Sequence, residues 1–181
     1  MNGISINQGA EIDSTALPEP KRTSLGLYVT ASEAFEMWQK DPDKIKIIDV
    51  RTPEEYLFVG HPTMAWKIPV AAQSYAWNAE KGKYPMSILP DFVTRVKQIA
   101  KPEDPIMLMC RSGGRSAIAV NLLAKEGFTQ AYQIIDEMEG DTIDDPFSVY
   151  NGQRMKNGWK NSSCPWTYKL NPDRMLLPAG S

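Results

Sequence analysis

The sequence contains few of the residues from which disulfide frameworks and metal sites are built. It has two cysteines, Cys110 and Cys164, and a single histidine, His61, among 181 residues. Two cysteines are too few for a disulfide framework, and they lack the paired spacing of a structural zinc site. The sequence therefore predicts no metal site and directs attention to the chemistry of individual thiols.

The sequence also lacks a long apolar segment and an excess of charge of one sign. Lys and Arg number 20 against 22 Asp and Glu, with no run of like charge, so nucleic acid is not indicated as a partner. No apolar run approaches the length of a membrane span, and residues 1–20 have neither the basic nor the apolar region of a secretory signal. We expect no membrane span, and a cytoplasmic location if this N-terminus is native or a periplasmic one if a leader has been removed.

What the sequence does contain is the composition of an ordinary globular domain. Hydrophobic residues make up 42% and charged residues 23% of the chain, which is close to average usage. Residues 1–24 are polar and show no periodicity, so we expect a flexible N-terminal arm. The folded domain is expected over residues 25–140. Residues 141–181 combine turn-forming residues with tryptophans and are expected to wrap the domain as a C-terminal extension.

Strand and helix patterns alternate through residues 25–140. Short β-branched or apolar runs predict strands at residues 27–29, 45–50, 66–70, 105–109 and 131–135. Apolar residues at helical spacing predict helices beginning near Thr30, Thr52, Pro90 and Ser116. Residues 71–88 show no clear period and are predicted to form an insertion loop. Because parallel strands need crossover connections, the alternation predicts an α/β fold with a parallel sheet and helices on both faces.

Cys110 directly follows an apolar predicted strand and begins a loop that leads into a helix. This segment, residues 110–116, is called the cysteine loop and reads Cys110-Arg111-Ser112-Gly113-Gly114-Arg115-Ser116. Backbone amides of such a loop, together with the positive helix N-terminus, stabilise an anion or a thiolate. The two glycines permit the turn, and the two arginines add positive charge for an anionic substrate. We therefore expect a reactive cysteine that ionises easily, rather than a buried small hydrophobic residue.

The cysteine loop and three other segments make the sequence similar to the rhodanese family. The resemblance lies in residues 48–56, Gly60-His61, Ile68-Pro69 and the cysteine loop, and it covers about residues 26–140. It implies a rhodanese-like three-layer fold with a central five-stranded parallel sheet, and a persulfide intermediate on Cys110. It also implies that residues 111–116 surround the outer sulfur of that persulfide.

The activity that this resemblance implies is sulfur transfer of the thiosulfate:cyanide type. The Cys110 thiolate would attack the sulfane sulfur of a donor such as thiosulfate, and sulfite would leave. The persulfide would then pass its outer sulfur to cyanide or to a thiol, and a thiol on a partner protein is among the candidate acceptors. The reaction requires no cofactor.

Asp49 and Arg51 are the supporting residues of this prediction. They end a predicted strand at the same edge of the sheet as Cys110, and the family resemblance suggests that Asp49 orients the cysteine loop by pairing with Arg115. His61 is expected in a turn rather than as a general base, because persulfide transfer needs no strong base.

The second cysteine and the tryptophans are expected to have structural roles. Cys164 is predicted to be an ordinary tail cysteine, with sulfur relay from Cys110 or a disulfide as the alternatives. Trp77, Trp159 and Trp166 are predicted to pack against the domain, or alternatively to wall the entrance to Cys110.

Two other functions compete with sulfur transfer. A cysteine phosphatase or arsenate reductase would need five residues between its cysteine and arginine, whereas four separate Cys110 from Arg115. The position that the longer motif reserves for arginine is Ser116, so the ring of amides is expected to be too small for phosphate. The second alternative is a persulfide carrier or a protein-binding rhodanese module.

Overall fold

The fold of the chain centres on a five-stranded parallel sheet, as the sequence predicts. A computed structural model describes residues 12–178, and the strands lie in the order β1-β8-β7-β2-β4 with every neighbouring pair parallel. These strands are β1 Tyr28–Val29, β2 Lys46–Asp49, β4 Trp66–Lys67, β7 Ile106–Met109 and β8 Ala131–Ile134. The consequence for function is that β2 and β7 lie side by side, so their carboxyl ends meet at one edge of the sheet.

Within residues 12–178, four α-helices connect the strands. They are α1 Ala31–Lys40, α2 Pro53–Val59, α3 Phe92–Val96 and α4 Gly114–Lys125. The first two begin at capping boxes, in which Thr30 pairs with Glu33 and Thr52 pairs with Glu55. The third helix is shorter than the predicted one, because its regular α-helix ends at Val96. Individual backbone hydrogen bonds of helical turns continue as far as Ala100. The α/β prediction is confirmed in its elements, with differences at their ends.

In the described part of the chain, the hydrophobic core consists of two clusters on opposite faces of the sheet. Successive strand residues point to opposite faces, so Ile106, Leu108 and Cys110 belong to one cluster and Met107 and Met109 belong to the other. Helices α3 and α4 pack on the first cluster, and helix α1 packs on the second. Helices therefore cover both faces, which gives the predicted three layers.

Residues 71–88 contain regular structure that the sequence pattern does not show. Strands β5 Ala71–Gln73 and β6 Met86–Ile88 pair antiparallel and form a separate small sheet. All three residues of β6 are exposed. A strand without a buried face does not need to alternate apolar and polar residues, so its sequence shows no strand pattern. The predicted insertion loop is therefore corrected to a β-hairpin with a long connection.

The C-terminal segment packs closely on the domain. Trp159 is fully buried, strand β9 Trp166–Thr167 pairs antiparallel with β3 His61–Pro62, and the Leu176 amide donates to the Lys67 carbonyl at 3.0 Å. Of the predicted N-terminal arm, residues 1–11 lie outside the described residues, and residues 12–24 include two single turns of 3-10 helix. Within residues 12–178, no helix has both the length and the apolar character needed to cross a membrane.

Candidate active site

Cys110 lies at the carboxyl end of β7, where the buried strand passes into helix α4. The turn between them is made at Gly113, whose φ of 102° is a left-handed conformation that glycine adopts without steric cost. A side chain at this position would also collide with the aliphatic part of Lys21, whose Cδ would lie 2.8 Å from an added Cβ. The cysteine loop is thus held between the sheet and the N-terminal turn that carries Lys21.

The sulfur of Cys110 is in contact with polar groups of its own loop. The Gly113 amide donates to Sγ at 3.2 Å, and the hydroxyl oxygen of Ser116 lies 3.7 Å from Sγ. The amides of Ser112 and Ser116 also act to lower the pKa of the thiol. Only 1% of the Cys110 surface is exposed. The loop amides therefore converge on the sulfur, and the loop also shields the sulfur from solvent.

Glu137 is a buried acid beside the cysteine that the sequence did not single out. One of its carboxylate oxygens accepts the backbone N–H of Cys110, and the other accepts the Ser116 hydroxyl at 2.6 Å. Its backbone is left-handed, with φ of 59°, which is costly for a residue with a side chain. In the sequence, only the short acidic stretch after β8 could have indicated this residue, and such a stretch is typical of a solvated turn.

This burial reverses the expectation that Cys110 ionises easily. Burial and the negative charge of Glu137 raise the pKa of the Cys110 thiol, while Arg115 and the loop amides oppose that rise. Burial also raises the pKa of Glu137 to about 7, against hydrogen bonds from Ser116 and the Cys110 amide that act to lower it. The low pKa predicted for the thiol is therefore wrong, because desolvation and a neighbouring acid outweigh the loop.

The predicted pair between Asp49 and Arg115 does not form. Arg115 instead binds both carboxylate oxygens of Glu55, with Nη2 2.7 Å from Oε1. Asp49 binds Arg51 in a fully buried pair, with Oδ2 2.6 Å from Nη2. The distances along the fold explain this pairing. Arg51 follows Asp49 by two residues at the same strand end, and helix α2 places Glu55 beside Arg115 of helix α4.

An open pocket of about 410 Å³ lies above the cysteine loop. Its lining includes Arg111 and Arg115 together with Glu55, Glu139 and Met86. Arg111 is half-exposed and pairs with Glu139, with Nε 3.1 Å from Oε1. The lining includes none of the three tryptophans considered as an entrance wall. The pocket presents two cations to a small anion, each held by a carboxylate of the protein.

Cys164 and His61 lie apart from this arrangement. Cys164 packs in the cluster on the opposite face of the sheet from Cys110, and burial raises the pKa of its thiol to about 11. His61 is buried in β3, with Nδ1 3.0 Å from the Pro62 carbonyl oxygen. The structural roles predicted for both residues agree with these positions, and neither a disulfide nor a relay through Cys164 is supported.

Comparison with known proteins places the chain in a family. The sequence matches the rhodanese-like domain over residues 30–139. An uncharacterized protein from Rickettsia conorii is 29% identical over 140 residues, which cover 77% of this chain and 96% of that protein. Thiosulfate sulfurtransferase 16, chloroplastic, from Arabidopsis thaliana is 36% identical over 90 residues, covering 50% of this chain and 68% of that one. The crystal structure of Rv0390 from M. tuberculosis matches with a TM-score of 0.57 and 25% identity, covering 78% of this chain and 96% of that chain. The chain therefore belongs to the rhodanese-like domain family, a family of sulfurtransferase type.

Proposed function

We propose that this protein is a sulfurtransferase that carries a sulfane sulfur as a persulfide on Cys110. The observation that carries the proposal is the convergence of the cysteine loop on one sulfur, with the Gly113 amide at 3.2 Å. Amides directed at a sulfur stabilise the negative charge that develops there. The two arginines of the neighbouring pocket suit a small sulfur anion such as thiosulfate.

The reaction proceeds in two displacements. The Cys110 sulfur forms a bond with the sulfane sulfur of thiosulfate, and the S–S bond of thiosulfate breaks, so sulfite leaves with the electron pair. Cyanide or a thiolate then attacks the outer sulfur of the persulfide. The bond between the two sulfurs breaks, and the electron pair returns to Cys110 as a thiolate.

The burial of Cys110 bears on the choice of donor and acceptor. Because its side chain is 1% exposed, a donor reaches the sulfur only when the cysteine loop opens toward the pocket. Small anions and cyanide meet this requirement more easily than a folded partner does. Comparing the loading rate from thiosulfate with that from a protein persulfide distinguishes an enzyme for small molecules from a dedicated carrier.

The direct test is the intact mass of the protein after incubation with thiosulfate. We expect a gain of about 32 Da, one sulfur atom, that cyanide removes with release of thiocyanate. The Cys110→Ser variant should gain no mass, and the matched control Cys164→Ala should gain as much as the wild type. Equal thiocyanate release from Cys110→Ser would contradict the proposal.

A further inference from the structure

A chain of hydrogen bonds connects the sulfur of Cys110 to the carboxylate of Glu137. The thiol lies 3.7 Å from the hydroxyl oxygen of Ser116, and that hydroxyl donates to Oε1 of Glu137 at 2.6 Å. All three side chains are buried, with exposures of 1%, 0% and 1%. Ser116 is both acceptor and donor, so a proton can move from sulfur to carboxylate without passing through solvent.

Glu137 is held in this position from two sides. Its second oxygen accepts the backbone N–H of Cys110, and its own backbone carbonyl accepts the Trp159 amide at 2.8 Å. The left-handed backbone of Glu137, with φ of 59°, is unfavourable for a residue with a side chain. Backbone strain of this kind persists only where surrounding contacts hold the residue in place, and it is concentrated at functional sites.

The charges around Glu137 leave it without a direct ion-pair partner among the described residues. Lys21 faces it from the N-terminal turn, but the ammonium group lies 3.9 Å from Asp141. Arg115 faces Cys110 from helix α4, but its guanidinium is bound to Glu55. Asp136 precedes Glu137 and accepts the amides of Ala31 and Gly158. A buried site with this surrounding charge favours one negative charge over two.

We propose that Glu137 accepts, through Ser116, the proton that Cys110 loses when sulfur is loaded, so that the site carries one negative charge before and after loading. This inference rests on the proposed function. As the S–H bond of Cys110 breaks, its proton passes to Ser116 Oγ, and the Ser116 hydroxyl proton passes to Oε1 of Glu137. The electron pair left on sulfur forms the bond to the sulfane sulfur, and sulfite leaves with the pair of the broken bond. The charge that began on the carboxylate then resides on the outer sulfur of the persulfide.

The ionisation behaviour of the two groups agrees with this exchange. Burial raises the pKa of Glu137 to about 7, and an acid in that range can take up and release a proton near neutral pH. The ionised carboxylate in turn raises the pKa of Cys110. A proton on Glu137 removes that repulsion at the moment when the sulfur becomes negative.

The first test is infrared difference spectroscopy of the whole protein before and after loading with thiosulfate, slightly above neutral pH. We expect a carbonyl band of a protonated carboxylic acid to appear with the persulfide. The band should be absent in Glu137→Gln and present in Glu126→Gln, which removes an exposed acid paired with Lys97 at 2.8 Å. A persulfide confirmed by mass without this band in the wild type overturns the inference. An absence of persulfide in the wild type instead overturns the proposed function.

The second test counts protons during a single loading reaction in weakly buffered solution. At a pH where ultraviolet absorbance shows an un-ionised thiol in both proteins, Glu137→Gln should release about one proton more per persulfide than the wild type. Equal release contradicts the inference. Ser116→Ala tests the route, because loading should slow by about tenfold or more while the persulfide still forms. An unchanged loading rate in Ser116→Ala shows that the proton does not pass through Ser116.

Discussion

The ion pair between Asp49 and Arg51 is the most deeply buried one in the described part of the chain. Both side chains have no exposed surface. Oδ1 of Asp49 accepts the Arg51 amide at 3.1 Å and Nε at 2.9 Å, and Oδ2 accepts Nη2 at 2.6 Å. Lys67 lies opposite Asp49 in the neighbouring strand β4 and is also fully buried. Asp49 is therefore the carboxylate that compensates two buried cations.

The Asp49→Asn substitution should destabilise the protein by about 3 to 5 kcal/mol. It preserves the shape of the side chain but removes its charge and replaces one acceptor oxygen by an NH2 donor, so Arg51 and Lys67 remain buried without compensation. Hydrogen bonding accounts for part of this loss, because Asn lacks one of the two acceptor oxygens that bind the guanidinium, and a hydrogen bond to a charged group contributes roughly 1.5 to 3 kcal/mol. The loss is a large part of the roughly 5 to 15 kcal/mol that stabilises a typical domain.

Urea unfolding, followed by tryptophan fluorescence and circular dichroism, measures this loss. The midpoint should fall while the dependence on urea stays the same. Glu126→Gln is the control, since its pair with Lys97 is about half exposed and should contribute less than about 1 kcal/mol. The double variant Asp49→Leu with Arg51→Met should recover part of the loss, because no guanidinium remains uncompensated. A loss for Asp49→Asn no larger than that of the control would show that Asp49 does not compensate the two buried cations.

Three further substitutions test the structure, at Lys67, Gly140 and Arg115. Burial lowers the pKa of Lys67, so the buried charge reduces the free energy of unfolding at neutral pH. This reduction disappears as the pH rises through the lowered pKa and Lys67 loses its proton. Lys67→Met should therefore add roughly 1 to 2 kcal/mol to the free energy of unfolding at neutral pH and abolish the alkaline rise in the urea midpoint. An added Cβ on Gly140 would lie 1.8 Å from a backbone oxygen, so Gly140→Ala should cost roughly 3 to 5 kcal/mol in thermal unfolding. Gly152→Ala, which has a similar φ but open space, should cost only about 1 kcal/mol. Arg115→Met should slow alkylation of Cys110 by neutral iodoacetamide about tenfold, because Arg115 lowers the thiol pKa; Arg111→Met should leave that rate unchanged, and equal effects would show that only pocket charge matters.

The order of the elements could be predicted from the sequence because its signals are local. The run of residues 105–109 is apolar throughout and becomes β7, which is buried on both faces. Thr30 and Glu33 form the predicted capping box of α1. Helix α4 begins at Gly114, two residues before the predicted start, because the turn of the cysteine loop is already helical there.

The parts of the fold that the sequence did not reveal depend on contacts between distant residues. The β5–β6 hairpin joins two segments across a connection of twelve residues, 74–85, and exposes one of its strands entirely. The segment between Gly140 and Gly158 closes because the backbones of these two glycines approach so closely that neither tolerates a side chain. A contact of this kind can be predicted only when the positions of both ends of the loop are known.

The candidate site also combines residues that could be predicted from local sequence with residues that could not. The cysteine loop could be identified from its own sequence, because its glycines, arginines and following helix are adjacent to Cys110. Glu137 could not, since it approaches from the end of β8, 27 residues away. The partner of Arg115 was also missed, because Glu55 lies 60 residues away and one turn into α2.

Opposite influences act on the Cys110 thiol, and their balance connects protection of the cysteine with its proposed use. The loop amides and Arg115 lower the thiol pKa, whereas burial and the charge of Glu137 raise it. Oxidation and alkylation proceed through the thiolate, so an ionised Glu137 keeps the resting cysteine in its less reactive form. On the proposed function, a donor anion in the pocket lies near Arg111 and Arg115, and transfer of the proton to Glu137 removes the repulsion that held the thiol protonated. In our proposal, the same carboxylate restrains Cys110 at rest and receives its proton when a donor is bound.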